Sequence, residues 1–199
     1  LAPELFRKIF GVAENHLDLA ILDSTDPKTI LDYARRFDPK TTLYIPATKS
    51  GGTVETISFL KFFYNQVRDH VGATKAGQHF IAITDPESGL EKLAKSLHFR
   101  HIFRNDPNIG GRYSALSYFG LVPACLLGVD VALLLERARE AVNKCRMTTN
   151  NPGAILGTVM ACGVTIGKDK LTLATTPSIA PLGPWIEQLI AESTGKNGT

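Results

Sequence analysis

One junction limits what this chain can fold into. The apolar run Thr42-Leu43-Tyr44-Ile45 passes through Thr48-Lys49-Ser50-Gly51-Gly52-Thr53-Val54-Glu55-Thr56 into an amphipathic segment, Ile57 to Val67. Such a stretch delivers hydroxyls and glycines from the end of a strand to the start of a helix. Backbone N–H groups point outward there, and the helix dipole adds partial positive charge. Glycine lets the backbone approach an oxyanion without Cβ interference. The stretch therefore predicts a phosphate site, with the hydroxyls of Thr48, Ser50 and Thr53 and the local N–H groups holding a phosphate monoester, most simply that of a sugar phosphate. Its spacing is neither GxxxxGK[ST] nor GxGxxG. The competing reading is a polar turn whose Ser and Thr merely cap the helix, and Glu55 and Thr56 fit that reading best.

Around this junction, short apolar runs alternate with helical periodicity. Strands are expected at His16–Leu22, Leu43–Ile45, Gln78–Thr84 and His101–Phe103. Helices are expected at 1–10, 27–37, 57–71 and 89–97, with capping residues ahead of Pro27. That alternation predicts an α/β fold, a three-layer αβα sandwich around a parallel sheet, with ligands beyond the carboxyl ends of the strands. After Tyr113 the pattern turns helical, over about 114–127, 131–145 and 154–166. A strand at Leu171–Thr175 and a helix at 183–193 then read as the start of a second βα layer. The expected division is 1–146 for the first domain and 151–199 for a connecting helix and a truncated second one.

Composition excludes several classes. A net charge of +3 on 199 residues gives no argument for nucleic acid or a membrane surface as partner. Ala115 to Leu135 is apolar enough to raise the question of a membrane span. Pro123 and Asp130, with Gly120 and Gly128, read instead as interruptions between two buried helices. Cys125, Cys145 and Cys162 form no CxxC pair and read as reduced core thiols in a cytoplasmic protein. No signal peptide is visible. The chain begins without Met and ends in a polar turn, and is expected to be a piece of a longer polypeptide.

Two further clusters carry chemistry. Gly110-Gly111-Arg112-Tyr113-Ser114 puts glycines ahead of an arginine at a helix start, so the guanidinium fork can reach an oxyanion; the plainer alternative is a surface pair with Asp106. Gln188 and Glu192 are four apart on one helix face, which Lys196 could extend. Glu192 is a candidate general base, against the alternative of a solvated face with a Glu192–Lys196 ion pair. None of the five histidines (His16, His70, His79, His98, His101) shows metal-ligand spacing.

In their order, these motifs resemble the phosphoglucose isomerase family, built from two sugar-isomerase (SIS) domains. Thr48 to Thr56 resembles its Ser-Lys-[Thr/Ser]-x-x-Thr-x-Glu-Thr loop. Gly110 to Ser114 is similar to its Gly-Gly-Arg-[Tyr/Phe]-Ser motif, and Gln188 to Lys196 to its Gln-x-x-x-Glu-Ser-x-Gly-Lys signature. Leu1-Ala2-Pro3 looks like its Leu-Gly-Pro segment. Ser50-Gly51-Gly52-Thr53 and Asn151-Pro152-Gly153 look most like the isomerase part of fused transaldolase/glucose-6-phosphate isomerases. The resemblance implies interconversion of glucose 6-phosphate and fructose 6-phosphate through a cis-enediol(ate), without metal or cofactor, in a cytoplasmic homodimer serving glycolysis and gluconeogenesis. It implies that Thr48, Ser50 and Thr53 anchor phosphate, with Lys49 adding backbone and charge. Glu192 would then move the proton, Arg112 stabilise the developing oxyanion, and Gly111 and Gln188 line the pocket.

The sequence also departs from the family. Thr48 and Ala2 replace the commoner serine and glycine. The Gly-Gly-Ser turn of the family would precede Leu1. The ring-opening histidine and lysine, the histidine from a partner subunit, match no position here, so the chain alone is expected to be inactive. The alternative from another class is a non-catalytic, regulatory SIS module, which needs the hydroxyl loop but neither Glu192 nor Arg112.

Overall fold

The computed structural model describes residues 1–195; Lys196, and with it the expected extension of the Glu192 face, lies outside them. The elements in order are α1 (Ala2–Phe10), α2 (Pro27–Arg36), α3 (Val54–Val71), α4 (Ala73–Ala76), β1 (Ile81–Thr84), α5 (Gly89–Ser96), β2 (His101–Arg104), α6 (Tyr118–Leu126), α7 (Val131–Cys145), α8 (Pro152–Thr165) and α9 (Leu182–Thr194). Side-chain chemistry sets several helix starts. Asp26, Ser88, Asp130 and Asn151 each accept from the backbone N–H three residues on, capping α2, α5, α7 and α8.

The chain forms two compact units. One comprises Ala2–Glu4 and Leu19–Pro123. Within it β1 pairs in parallel with β2, from Ile81↔His101 to Thr84↔Arg104. On the other side of β1 runs the expected strand around Leu43–Ile45. It is realised only as isolated parallel bridges at Tyr44 and Ala47. Ile81 N–H donates to Tyr44 O at 3.0 Å and Ile83 N–H to Pro46 O at 3.1 Å. Pro46 has no N–H to return, so the ladder loses a rung. β1 is the middle member and is buried along its whole length, as a parallel strand covered on both faces must be.

α3 packs Leu60, Phe63 and Val67 into the core beside Phe80, Leu90 and Phe99, a spacing that keeps one helix face inward. The Phe80 ring lies 5.1 Å from both Tyr44 and Phe99. This is the α/β arrangement with a parallel sheet that the alternation predicts.

The other unit comprises Leu1, Leu5–Asp18 and the chain from Ala124 on. Here several expectations change. His16–Leu22 is not a strand; Ala13 and Leu17 instead donate their N–H groups to Leu127 O and Leu126 O. Leu171–Thr175 is not a strand among the described residues either. A strand needs a neighbour for its N–H and C=O groups, and no described segment pairs with it. α6 continues through Pro123, and the break falls at Gly128, where φ is 83°, and at the Asp130 cap. Helix α7 has no buried residue, so of the two helices expected to be buried only α6 contributes to a core, through Val122 and Ala124. The three cysteines are free but exposed rather than core-filling, because Cys145 and Cys162 lie on α7 and α8, which present apolar side chains outward. Among the described residues no helix is long and apolar enough to cross a membrane.

Candidate anion-binding site

The turn after Ala47 folds back on itself: Thr53 Oγ1 lies 2.9 Å from the Oγ1 of buried Thr48. Thr53 is the residue from which α3 springs, yet its side chain makes no capping bond to that helix. The capping alternative therefore fails for Thr53, whose hydroxyl closes the loop and leaves the α3 N-terminus without the side-chain cap that α2, α5, α7 and α8 possess. Ser50 Oγ accepts from Gly52 N–H at 3.3 Å, tightening the turn.

The loop is seated from beneath. Gly51 has φ 71°, and a Cβ there would run into the backbone nitrogens of Gly89 and Leu90 in the first turn of α5. Only glycine permits both that conformation and that approach. Thr84, at the end of β1, donates its hydroxyl to Thr48 O at 2.6 Å and lies 3.2 Å from Lys49 O. Ser88 Oγ stands 2.8 Å from Thr84 Oγ1 and accepts from Glu91 N–H. Glu91 is buried against Lys95 Nζ (2.7 Å) and Arg104 Nε (2.8 Å) and accepts from Glu87 N–H. Lys95 first, then Arg104 and the Glu87 amide, pull its carboxyl down to about 2.

Lys49 carries its ammonium 2.7 Å from Asp85 Oδ2 and 3.5 Å from Pro107 O. Pro107 belongs to the loop leading to Gly110, Gly111 and Arg112. Arg112 lies in the 3-10 segment Gly111–Leu116, with its guanidinium carbon 4.8 Å from the centre of the Tyr113 ring. Asp106, the surface partner considered for Arg112, accepts from the backbone and side-chain nitrogens of Asn108, both at 2.9 Å. Buried Asn105 donates its N–H to Thr84 O and accepts from Tyr118 N–H, which starts α6.

Thr48, Lys49, Ser50, Thr53, Gly111 and Arg112 thus belong to one compact unit, whereas Gln188 and Glu192 belong to the other, on α9. There Gln188 Nε2 donates to Glu192 Oε1 at 2.8 Å, as their spacing predicts. Sequence reasoning missed Thr84, Asp85, Ser88 and Asn105. Each stands at or just beyond the end of β1 or β2, where polar residues read only as strand terminators.

A model of the phosphoglucose isomerase family matches residues 1–199. The chain belongs to the phosphoglucose isomerase family. Among phosphoglucose isomerases, the glucose-6-phosphate isomerase of Carboxydothermus hydrogenoformans is 33% identical over 178 residues, covering 87% of this chain and 38% of that protein. That of Geotalea daltonii is 34% identical over 209 residues, covering 100% and 39%. The chain spans about 38% of the length of the curated relatives it matches. The crystal structure of a hypothetical protein from Thermus thermophilus matches with a TM-score of 0.85 at 28% identity, covering 98% of this chain and 46% of that one. A glucose-6-phosphate isomerase from Chlamydia trachomatis shares the fold, with a TM-score of 0.80 at 20% identity over 98% of this chain and 38% of its own.

Proposed function

We propose that this chain is part of an aldose–ketose isomerase that interconverts glucose 6-phosphate and fructose 6-phosphate. The observation that carries the reading is the Thr48–Thr53 hydroxyl pair at the α3 N-terminus, in a member of the phosphoglucose isomerase family. Phosphate bound there meets the hydroxyls of Thr48, Ser50 and Thr53, the backbone of Lys49 and the positive end of an 18-residue helix. Held by a handle remote from the reacting carbons, the sugar places C1 and C2 for proton transfer.

Glu192 takes the proton from C2 of the open-chain aldose. The C–H electron pair forms the C1–C2 double bond, and the carbonyl pair moves onto O1 to give a cis-enediolate. Arg112, with Gly111 giving it close approach, stabilises that negative oxygen. The C2 hydroxyl proton passes to O1, Glu192 returns its own proton to C1, and the ketose carbonyl forms at C2. Gln188, donating to Oε1, fixes the orientation of the carboxylate. An internal proton transfer consumes no redox cofactor. In this reading residues 1–146 form the sugar-phosphate domain and 151–199 begin a second. The parent is a cytoplasmic homodimer, and Ser50-Gly51-Gly52-Thr53 and Asn151-Pro152-Gly153 support a transaldolase-fused one.

The test is Glu192→Gln in the full-length parent. Loss of a general base lowers turnover by about 10²–10⁴-fold. Isomerisation of fructose 6-phosphate surviving within a few-fold would remove Glu192 from the mechanism.

A further inference from the structure

The side chain of Lys49 is already engaged within the protein. Its ammonium is 2.7 Å from Asp85 Oδ2, and the pair is sheltered, with 30% of the lysine and 15% of the aspartate side chain exposed. The same nitrogen donates to Pro107 O at 3.5 Å, 58 residues along the chain. An ammonium has three donors, and two of them are spent inside the protein. Asp85 is in turn fixed through its backbone, whose N–H donates to Lys49 O at 3.1 Å. Its Oδ1 is buried without a hydrogen-bond partner among the described residues. A carboxylate with one oxygen so desolvated is costly unless its counter-ion stays in place. These contacts join the loop from Thr48 to Thr53, the end of β1 and the loop that leads to Arg112.

We propose that Lys49 and Asp85 form an ionic tie that positions the Asn105–Arg112 loop against the phosphate loop, with Asp85 as a positioning residue and the lysine ammonium not a ligand of the phosphate. The proposal rests on the isomerase reading only for its kinetic consequence. The phosphate is held by hydroxyls and amides, while the charge of Lys49 fixes where Arg112 is presented. A displacement of that loop by an ångström weakens stabilisation of the enediolate without loosening the grip on the phosphate, so it appears in kcat rather than in anion affinity.

Three variants test this: Asp85→Asn, the charge-balanced double variant Lys49→Met/Asp85→Asn, and Asp85→Glu as the conservative rescue. On the 199-residue chain, amide exchange over Asn105–Arg112 accelerates by roughly tenfold or more in the first two and stays near wild type in the third. Inorganic phosphate titrated into the double variant binds within about twofold of wild type, whereas a direct lysine–phosphate bond would cost about tenfold or more. In the full-length parent, kcat for fructose 6-phosphate falls by about ten- to a hundredfold in the first two variants. Unchanged exchange in Asp85→Asn, or phosphate affinity lost in the double variant, overturns the tie. A parent that does not isomerise at all overturns the functional reading instead, and exchange and phosphate titration still decide the tie. Should Asp85→Asn not fold, the comparison of Asp85→Glu with the double variant carries the same decision.

Discussion

Fully buried Thr84 donates its hydroxyl to the carbonyl oxygen of Thr48 across 2.6 Å. The bond ties the end of the central strand to the first residue of the Thr48–Thr53 loop, and Thr84 Oγ1 is itself within 2.8 Å of Ser88 Oγ. Thr84→Val keeps the shape and removes the hydroxyl, leaving the Thr48 carbonyl without its Thr84 donor. It is expected to lose about 1–3 kcal/mol of stability in urea denaturation, with Thr84→Ser retaining most of it.

Thr53 separates capping from ligand binding. If its hydroxyl serves the anion, Thr53→Val weakens inorganic phosphate binding by roughly tenfold, as for one hydrogen bond to a charged group. The helix content of α3 stays unchanged by circular dichroism, because Thr53 makes no capping bond. Loss of about 1 kcal/mol of stability with unchanged phosphate affinity would restore the capping role.

The two glycines of the loop are not equivalent. Gly51→Ala meets both a φ of 71° and the backbone of α5, whereas a Cβ on Gly52 comes no closer than 3.7 Å, to Ser50 Oγ. Thermal unfolding is expected to show a loss of about 1–3 kcal/mol or more for Gly51→Ala. Gly52→Ala stays within about 0.5 kcal/mol.

Acid stability reports Glu91. Its carboxyl ionises at about 2 in the folded chain, against 4.5 as the ordinary value. A depressed folded-state pKa means that the ionised form favours folding. The stabilisation is therefore complete above about pH 4.5 and disappears as the pH falls through about 2. Urea denaturation from pH 6 down to about pH 2 should show a Glu91-dependent decline in wild type over that window. Glu91→Gln should lack that contribution to the decline and be less stable than wild type at pH 6.

Much of this architecture is legible in the residues because it is local. Capping side chains such as Asp26 and Asn151, the period of Leu60, Phe63 and Val67, and the i,i+4 pair Gln188–Glu192 are all written within one or two turns. What the sequence conceals is pairing at a distance. His16–Leu22 and Leu171–Thr175 have strand composition, but composition does not supply a neighbour to bond with, and Pro46 breaks a ladder that Tyr44 and Ile45 would otherwise continue. The candidate site shows the same divide. Its hydroxyls and glycines are contiguous and readable, whereas Thr84, Asp85 and Asn105 reach them only because β1 and β2 lie side by side in the fold. The cysteines misled for a related reason: apolar helical surroundings in sequence imply a core only when something covers the helix.

Asn105 does two things at once, donating to Thr84 O from its backbone and receiving Tyr118 N–H on its side chain, 13 residues on. The segment that bears Arg112 is therefore a noose drawn in at its base by the Asn105 side chain. The entropy lost in closing a loop grows with its length, and here that loss is taken when the chain folds. The backbone carrying Arg112 has thus surrendered part of its wandering before any ligand is present.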